Sequence, residues 1–426
     1  MRIMVFGAGG FIGRHVLSEL SAAGYDVVAV VRRAREVERA FPSITVAEMD
    51  LASATDANRW RPLLQGIDVV VNAAGLLRGR DLHAVHVAMP QALHAAAGEA
   101  GVRRVVLVSA ISARPDVATD YSLTKLEGEQ VLRGSGIDWT ILRPSLVYGD
   151  GSYGGTSLMR GMAGLPLFVP LPGKGDFFFT PIHVRDLARS IRIVCEDTAF
   201  TGQTLEPVGP ETLDLRQLLE RYRSWLGFGT ARLLTVPMPV MRMLGRLGDF
   251  AGDGPIATNS LVQMIAGNAG NSEAFADAIG FEPVSLEQAL RDRPAQVQDR
   301  WHARLFFLAP ALRAMLVFLW LASAWLGLVH GAEQTARFTA ELGLPDALVA
   351  PLRISSSLLD IGIAAMVLFD RRARWATPVQ LAAVLGYTLV IGIALPALWL
   401  DPLGPLLKNL PILLLIAVHG AIADKR

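Results

Sequence analysis

Residues 1–16 read MRIMVFGAGGFIGRHV, and this stretch decides the fold of the first part of the chain. Arg2–Phe6 is short and apolar, as a strand buried on both faces would be. Gly7, Gly9, Gly10 and Gly13 follow at once, with a helical pattern behind them. Glycine alone permits the tight turn, the close approach of backbone to a ligand, and tight contact between helix and strand. The helix opening there offers free N–H groups and a partial positive charge to an anion. Strand, glycine turn and helix in that order predict a cradle for the pyrophosphate of a dinucleotide, made by Gly7, Gly9, Gly10, Phe11, Ile12 and Gly13.

Outward from this stretch the same rhythm repeats. Apolar runs at Asp26–Val31, Ile44–Met49, Asp68–Asn72, Arg104–Ser109 and Asp138–Arg143 alternate with helical stretches. They predict an α/β fold over residues 1–143, a Rossmann-type doubly wound parallel sheet. Residues 144–303 are broken by Gly and Pro, as in PLFVPLPGKGDFFFTP, and are expected to form a small α/β substrate lobe interleaved with that core. The second strand, DVVAVVRRA, ends in Arg32 and Arg33 with no carboxylate. Guanidinium groups suit a ribose 2′-phosphate, so NADP is predicted as cofactor, with NAD the alternative. Arg14 would add a second positive group. Asp50, with Leu51 beside it, is placed to accept from the adenine amine. Asn72, Ala73 and Ala74 would pass the adenine ribose, and Pro144 is counted with the same cofactor-binding set.

The chain has 426 residues and a formal net charge of +1. No strong field attracts nucleic acid, and basic clusters with interleaved aromatics are missing. The one cysteine, Cys195, excludes an internal disulfide and reads as a core residue in SIRIVCED. No metal site is predicted. At 52% hydrophobic the composition is high for a soluble enzyme, and the excess lies after Arg304. Apolar segments at 306–329, 349–369, 376–398 and 403–422 are each near the ~20 residues that cross a bilayer. Residues 304–426 are therefore expected to form a four-helix transmembrane bundle. Trp301, Trp320, Trp325, Trp375 and Trp399 lie in this last third, several of them near segment ends as an interfacial belt would require. Arg371, Arg372 and Arg374 in DRRARW, with Lys425 and Arg426 in the tail, fall on one side of such a bundle. The positive-inside rule then puts the N-terminal lobe and the C-terminus in the cytosol, in a multi-pass protein of the cytoplasmic membrane. Met1 runs directly into the first strand without a signal peptide, which gives the same expectation.

Inside this apolar part Asp360 stands mid-segment, with Tyr387 at a matching depth. A carboxylate there costs ~2.5–3.5 kcal/mol unless paired or neutral. The pair reads either as a polar pocket for a quinone-like or lipid headgroup, or a proton path, or as a structural interhelical hydrogen bond. Lys408 and Arg353 lie nearer the outer boundary, His419 nearer the cytosolic end, and Arg313 is expected to snorkel. LTVPMPVMRMLGRLG, residues 234–248, interleaves large apolar residues with Arg242 and Arg246. It would lie in a membrane interface or pack within the second lobe, and the sequence leaves both open.

GAGGFIG, VVNAAG, YSLTK and RPSLVYG together resemble the short-chain dehydrogenase/reductase superfamily. The likeness is to its extended and atypical branches, which include sugar-nucleotide epimerases and relatives of a complex I accessory subunit. TPIHVRDLA, with Pro181, His183 and Asp186, resembles a later motif of the extended branch. The resemblance spans residues 1 to about 300 and makes Tyr121 the acid/base and Lys125 its partner and a ligand of the nicotinamide ribose. One helical turn separates the two, and a nearby ammonium is expected to lower the phenol pKa. The carbonyl-polarising serine would be Ser109 or Ser112, although the slot also aligns with Ala110 or Ile111. His86 stands where extended members carry asparagine and is read as structural. Residues 306–422 resemble the DoxX-like membrane family through PLGPLLKNLPILLL. These likenesses imply a membrane-anchored NADP-dependent oxidoreductase acting on a carbonyl or alcohol of a small-molecule or lipid substrate. A non-catalytic NAD(P)H-binding subunit of a membrane complex is second, and a nucleotide-sugar epimerase or dehydratase third. A membrane-protein partner or a second copy of the chain would accompany it.

Overall fold

The computed structural model describes residues 1–151, 153–230, 232–250, 258–402 and 404–423. Lys425 and Arg426 lie outside the described residues. The chain divides into two compact units, Met1–Ala303 and Arg304–Arg426.

In the first unit, β1 (Arg2–Phe6), β2 (Asp26–Val31), β3 (Thr45–Glu48), β4 (Val69–Asn72), β5 (Arg104–Val108) and β6 (Asp138–Leu142) form one sheet. The sequence predicted these six strands to within a residue or two at each end. A seventh strand joins them. With β7 naming the separate strand Phe168–Pro172, the addition is β8 (Gln203–Leu205), and the sheet order is β8-β6-β5-β4-β1-β2-β3. All its pairings are parallel. The chain winds out from β1 in both directions, so the strand order reverses beside β1. That is where an open α/β sheet leaves a crevice at its carboxyl ends.

Both faces of the sheet are covered. Ile3 and Val5 point to one side, against Val16, Leu17 and Leu20 of α1 (Phe11–Ala22). Met4 and Phe6 point to the other, against Trp60, Met89 and Leu93. This two-sided burial is why the strands read as continuous apolar runs without alternation. Three further helices bear on the site or its surroundings: α2 (Ala34–Ala40), α3 (Met89–Glu99) and α4 (Asp120–Arg133). A single π-type turn, Ala84–Ala88, opens α3. On the Ile3–Val5 side, α5 (Val184–Glu196) also packs on the sheet through Leu187, Ala188, Ile191 and Val194, while the smaller lobe pairs β7 with β9 (Arg232–Val236) in parallel and adds α6 (Met238–Phe250) and α7 (Thr258–Ala266).

The second unit is helical. Among the described residues three helices are long and apolar enough to cross a bilayer: α8 (Val297–His330), which begins seven residues before the unit does, α9 (Val349–Phe369) and α10 (Ala376–Ala394). A polar helix, Ala332–Glu341, intervenes after α8. The expected fourth span is shorter than predicted. Its helix, α11, covers only the 14 residues Asn409–Ile422. Gly404, in the left-handed region at φ 56°, and Pro405 break the pattern before it.

Trp320 is buried, and its indole N–H donates to Gln380 Oε1 at 3.0 Å, so it belongs to the bundle core. Trp301, Trp325 and Trp375 are exposed. Ser323 of α8 donates to Asp360 of α9 at 2.7 Å, and Tyr387 of α10 reaches the same carboxylate at 3.4 Å. One carboxyl thus ties three helices. Arg313 donates to the carbonyls of Val367 and Leu368 at the end of α9, and Arg353 to the carbonyl of Leu328.

Candidate functional site

The glycine turn is built as its residue types require. Gly7 has φ 70°, and a Cβ on it would lie 2.7 Å from the carbonyl oxygen of Ala73. A Cβ on Gly13 would lie 2.2 Å from the carbonyl oxygen of Gly7. Both glycines are demanded by the fold itself. Gly9 is different. It is exposed, its φ is ordinary, and a Cβ there would meet only Val31 Cγ1 at 3.7 Å. Among the described residues nothing demands glycine at that position, which leaves its backbone open to close approach by a ligand. Gly10 caps α1 without a side-chain hydrogen bond, which leaves the first-turn N–H groups without side-chain partners. Phe11 stacks on Tyr153 with ring centroids 4.5 Å apart, so only its backbone is available to the cradle.

Around the cradle, Asn72 is buried at the end of β4, and its Oδ1 accepts from Ala74 N at 3.1 Å, fixing the turn through Ala73 and Ala74. Arg32 and Arg33 are exposed at the end of β2. Arg14 is not a free positive group: its guanidinium pairs with Glu36 at 2.8 Å and donates to the Gly9 carbonyl at 3.0 Å. Asp50 accepts from Ala52 N and caps the turn that contains buried Leu51. The Pro144 carbonyl accepts from Ile111 N at 3.0 Å, holding the chain after β5 to the chain after β6.

Helix α4 carries Tyr121 and Lys125. Thr119 caps it, its side chain accepting from Ser122 N. Lys125 is 5% exposed, and its ammonium donates to the carbonyls of Ala74 at 3.2 Å and Val108 at 3.0 Å. It therefore bridges the ends of β4 and β5, beside the glycine turn. Burial pushes the ammonium down to about 8, with Glu129 one turn away opposing the shift. Burial pushes the Tyr121 phenol up to about 12. This corrects the expectation that the ammonium would lower it. Burial is the cause, because desolvation disfavours the charged phenolate. At neutral pH Tyr121 is a neutral phenol, which is suited to proton donation.

His86, in the π-type turn, joins two parts of the site. Its Nε2 accepts from Leu76 N at 3.0 Å, and its Nδ1 lies 2.9 Å from Thr124 Oγ1. The Thr124 hydroxyl donates to the Asp120 carbonyl, so it accepts from His86, and the proton sits on Nδ1. Burial and then the Lys125 charge lower His86 to about 3, so it stays neutral and acts as a strut. Its ring meets Tyr121 edge-on at 5.8 Å.

The two serines differ. Ser109 donates to Glu129 at 2.6 Å inside a buried cluster that also holds Arg143 and Arg133 on the same carboxylate. Ser112 makes no side-chain hydrogen bond among the described residues. Sequence reasoning missed Glu129 and Arg143; the only trace of them was the position of Glu129 one turn beyond Lys125. His183 caps α5 and Asp186 accepts from Val284 N at 2.8 Å, so that motif fastens the lobe to the core. Cys195 is buried, its thiol pushed up to about 12 by burial. Among the described residues no group of acidic, histidine or cysteine side chains could hold a metal ion.

Residues 7–162 match a family described as NAD(P)H-binding, and residues 317–417 match the DoxX-like family. Ceramide reductase of Caulobacter vibrioides is 26% identical over 255 residues, covering 58% of this chain and 77% of that protein. The mitochondrial NADH dehydrogenase [ubiquinone] 1 alpha subcomplex subunit 9 of Mus musculus is 27% identical over 277 residues, covering 61% and 70%. A nucleoside-diphosphate-sugar epimerase structure from Staphylococcus aureus shares the fold, with a TM-score of 0.56 at 19% identity over 68% of this chain and all of that one. The chain thus carries an N-terminal NAD(P)H-binding domain, similar in sequence to a complex I subunit and in fold to a sugar-nucleotide epimerase, followed by a C-terminal DoxX-like domain.

Proposed function

We propose that this protein is a membrane-anchored, NADP-dependent oxidoreductase that reduces a carbonyl group of a lipid-borne substrate, with the N-terminal unit and the C-terminus on the cytosolic side of the cytoplasmic membrane. The observation that carries the reading is the bridge from Lys125 to the carbonyls of Ala74 and Val108, which fixes α4 at the carboxyl ends of β4 and β5 beside the glycine turn.

The glycine turn and the first turn of α1 would hold the pyrophosphate, and Arg32 and Arg33 the 2′-phosphate. The bound cofactor supplies hydride. Tyr121 holds a proton on its phenol and gives it to the carbonyl oxygen as negative charge develops there. Lys125, mostly ammonium at neutral pH, steadies the phenolate left behind. Ser112, with an uncommitted hydroxyl, orients the carbonyl, while Ser109 serves the Glu129 cluster. A neutral phenol favours the reductive direction, because alcohol oxidation needs a base. The lipid-borne substrate is supported by the membrane-type helices of the second unit and by a relative named as acting on ceramide.

A second reading, a non-catalytic NAD(P)H-binding subunit of a membrane assembly, is favoured by the complex I relatives and by the engagement of Ser109 away from the site. Tyr121→Phe separates the two. On the enzymatic reading the variant binds NADPH as before, while its NADPH oxidation in the presence of a membrane lipid extract stops. If the unaltered chain carries NADPH that no extract oxidises, the subunit reading stands.

A further inference from the structure

We infer that the exposed apolar stripe of α6 and the adjoining β7–β9 pair form a seat for an anionic phospholipid surface. The proposal is independent of whether the site turns over.

Val240, Met243, Leu244 and Leu247 recur at i, i+3, i+4 and i+7 on α6. At 3.6 residues per turn they share a sector about 100° wide. All four are exposed, Met243 at 55% and Leu247 at 57%. The helix is fastened from its other side. Gly245 is buried where a Cβ would lie 3.4 Å from Thr258 of α7, and Thr258 donates to both oxygens of Asp249. The stripe is therefore held facing outward. β9 runs directly into α6 and pairs in register with β7, which puts Leu234 and Phe168 on the same face of that pair, both exposed. Leu167 precedes them at 76% exposure.

Several features of the chain identify the occupant. Arg246 is exposed about 60° round the helix from Met243, at the edge of the stripe, with Arg242 exposed one turn before it and further round, and Arg232 sits opposite Phe168 in the register. Long cationic side chains flanking an apolar stripe match a headgroup layer over acyl chains. The described residues of the same chain include helices of membrane-crossing length and hydropathy, the first beginning at Val297. A bilayer is thus the large apolar surface always tethered to this unit. A helix lying in the interface buries its apolar face by about 5–10 Å.

The test uses the full chain with its single cysteine removed by Cys195→Ala, carrying Met243→Cys or Leu247→Cys labelled with an environment-sensitive fluorophore. The protein is reconstituted in phosphatidylcholine vesicles with and without phosphatidylglycerol, with doxyl-labelled lipid as quencher. The proposal expects a blue shift and several-fold stronger quenching at both positions than at exposed Asp277→Cys, enhanced by phosphatidylglycerol and weakened by Arg242→Glu with Arg246→Glu. Absence of quenching at both positions, while Leu358→Cys in α9 is quenched normally, overturns it. Label–label self-quenching there without lipid quenching also overturns it, in favour of a second copy of the chain.

Discussion

Gly9→Ala separates what the fold needs from what the ligand needs. In the chain alone the added methyl meets nothing closer than Val31 Cγ1 at 3.7 Å, an ordinary contact, and the backbone there is not left-handed. The stability cost should be near zero, and a slight gain from a stiffer unfolded chain is expected. With a pyrophosphate on the turn, the methyl occupies the space the phosphate oxygens must enter. Losing even one charge-assisted hydrogen bond from the cradle costs about 1.5–3 kcal/mol, which is roughly a 10- to 150-fold rise in Kd. The assay is NADPH titration of the detergent-purified chain by calorimetry, with thermal unfolding measured alongside. Gly13→Ala is the opposing control. Its methyl would lie 2.2 Å from a backbone carbonyl, so the unfolding temperature itself should fall. If Gly9→Ala binds NADPH with unchanged Kd, the ligand does not approach the turn, and the reasoning behind the cradle is wrong.

Other consequences can be measured separately. Lys125 titrates at about 8 in the folded chain against an ordinary 10.5, so its ammonium destabilises the fold fully below pH 8, and the penalty fades as pH rises towards 10.5. Relative to Lys125→Met, the unaltered chain should gain about 2 kcal/mol between about pH 7 and about pH 9.5, whereas parallel unfolding curves would contradict the burial of the charge. Arg32→Ala with Arg33→Ala should weaken NADPH at least about tenfold while sparing NADH, since only the charge-assisted 2′-phosphate contacts are lost; equal losses for both coenzymes would remove the basis for choosing NADP. Glu129→Gln leaves Arg143 and Ser109 facing a neutral amide and should destabilise by about 3 kcal/mol, read as a drop in unfolding temperature.

The sheet was legible because its strands are buried on both faces, so Arg2–Phe6 and Asp26–Val31 stand out as apolar blocks. β8 was not, because Gln203 and Thr204 are exposed at the edge, and three residues carry no periodicity. The glycine turn and the Tyr121–Lys125 spacing are local features, and a sequence displays them directly. The direction of the Tyr121 shift is not local. It depends on burial contributed by distant elements, and charge proximity alone gives the wrong sign. The engagement of Ser109 by Glu129, a partner twenty residues away, was likewise not displayed by the local sequence. The fourth apolar segment looked long enough in composition, but Gly404 and Pro405 act through backbone geometry that hydropathy ignores. The stretch 234–248 was ambiguous because an interfacial helix and a packed one share the same stripe, and the exposure of that stripe depends on distant elements that the local pattern does not display.

The most direct test of the central claim is hydride tracing. The full chain, reconstituted in vesicles with a membrane lipid extract, is supplied with NADPH deuterated at nicotinamide C4, and the lipids are surveyed by mass spectrometry. The account predicts a lipid alcohol one mass unit heavier, formed by the unaltered chain and absent with Tyr121→Phe although that variant still binds the coenzyme. Full coenzyme occupancy with no deuterium in any lipid, from either stereospecifically labelled form, would contradict it.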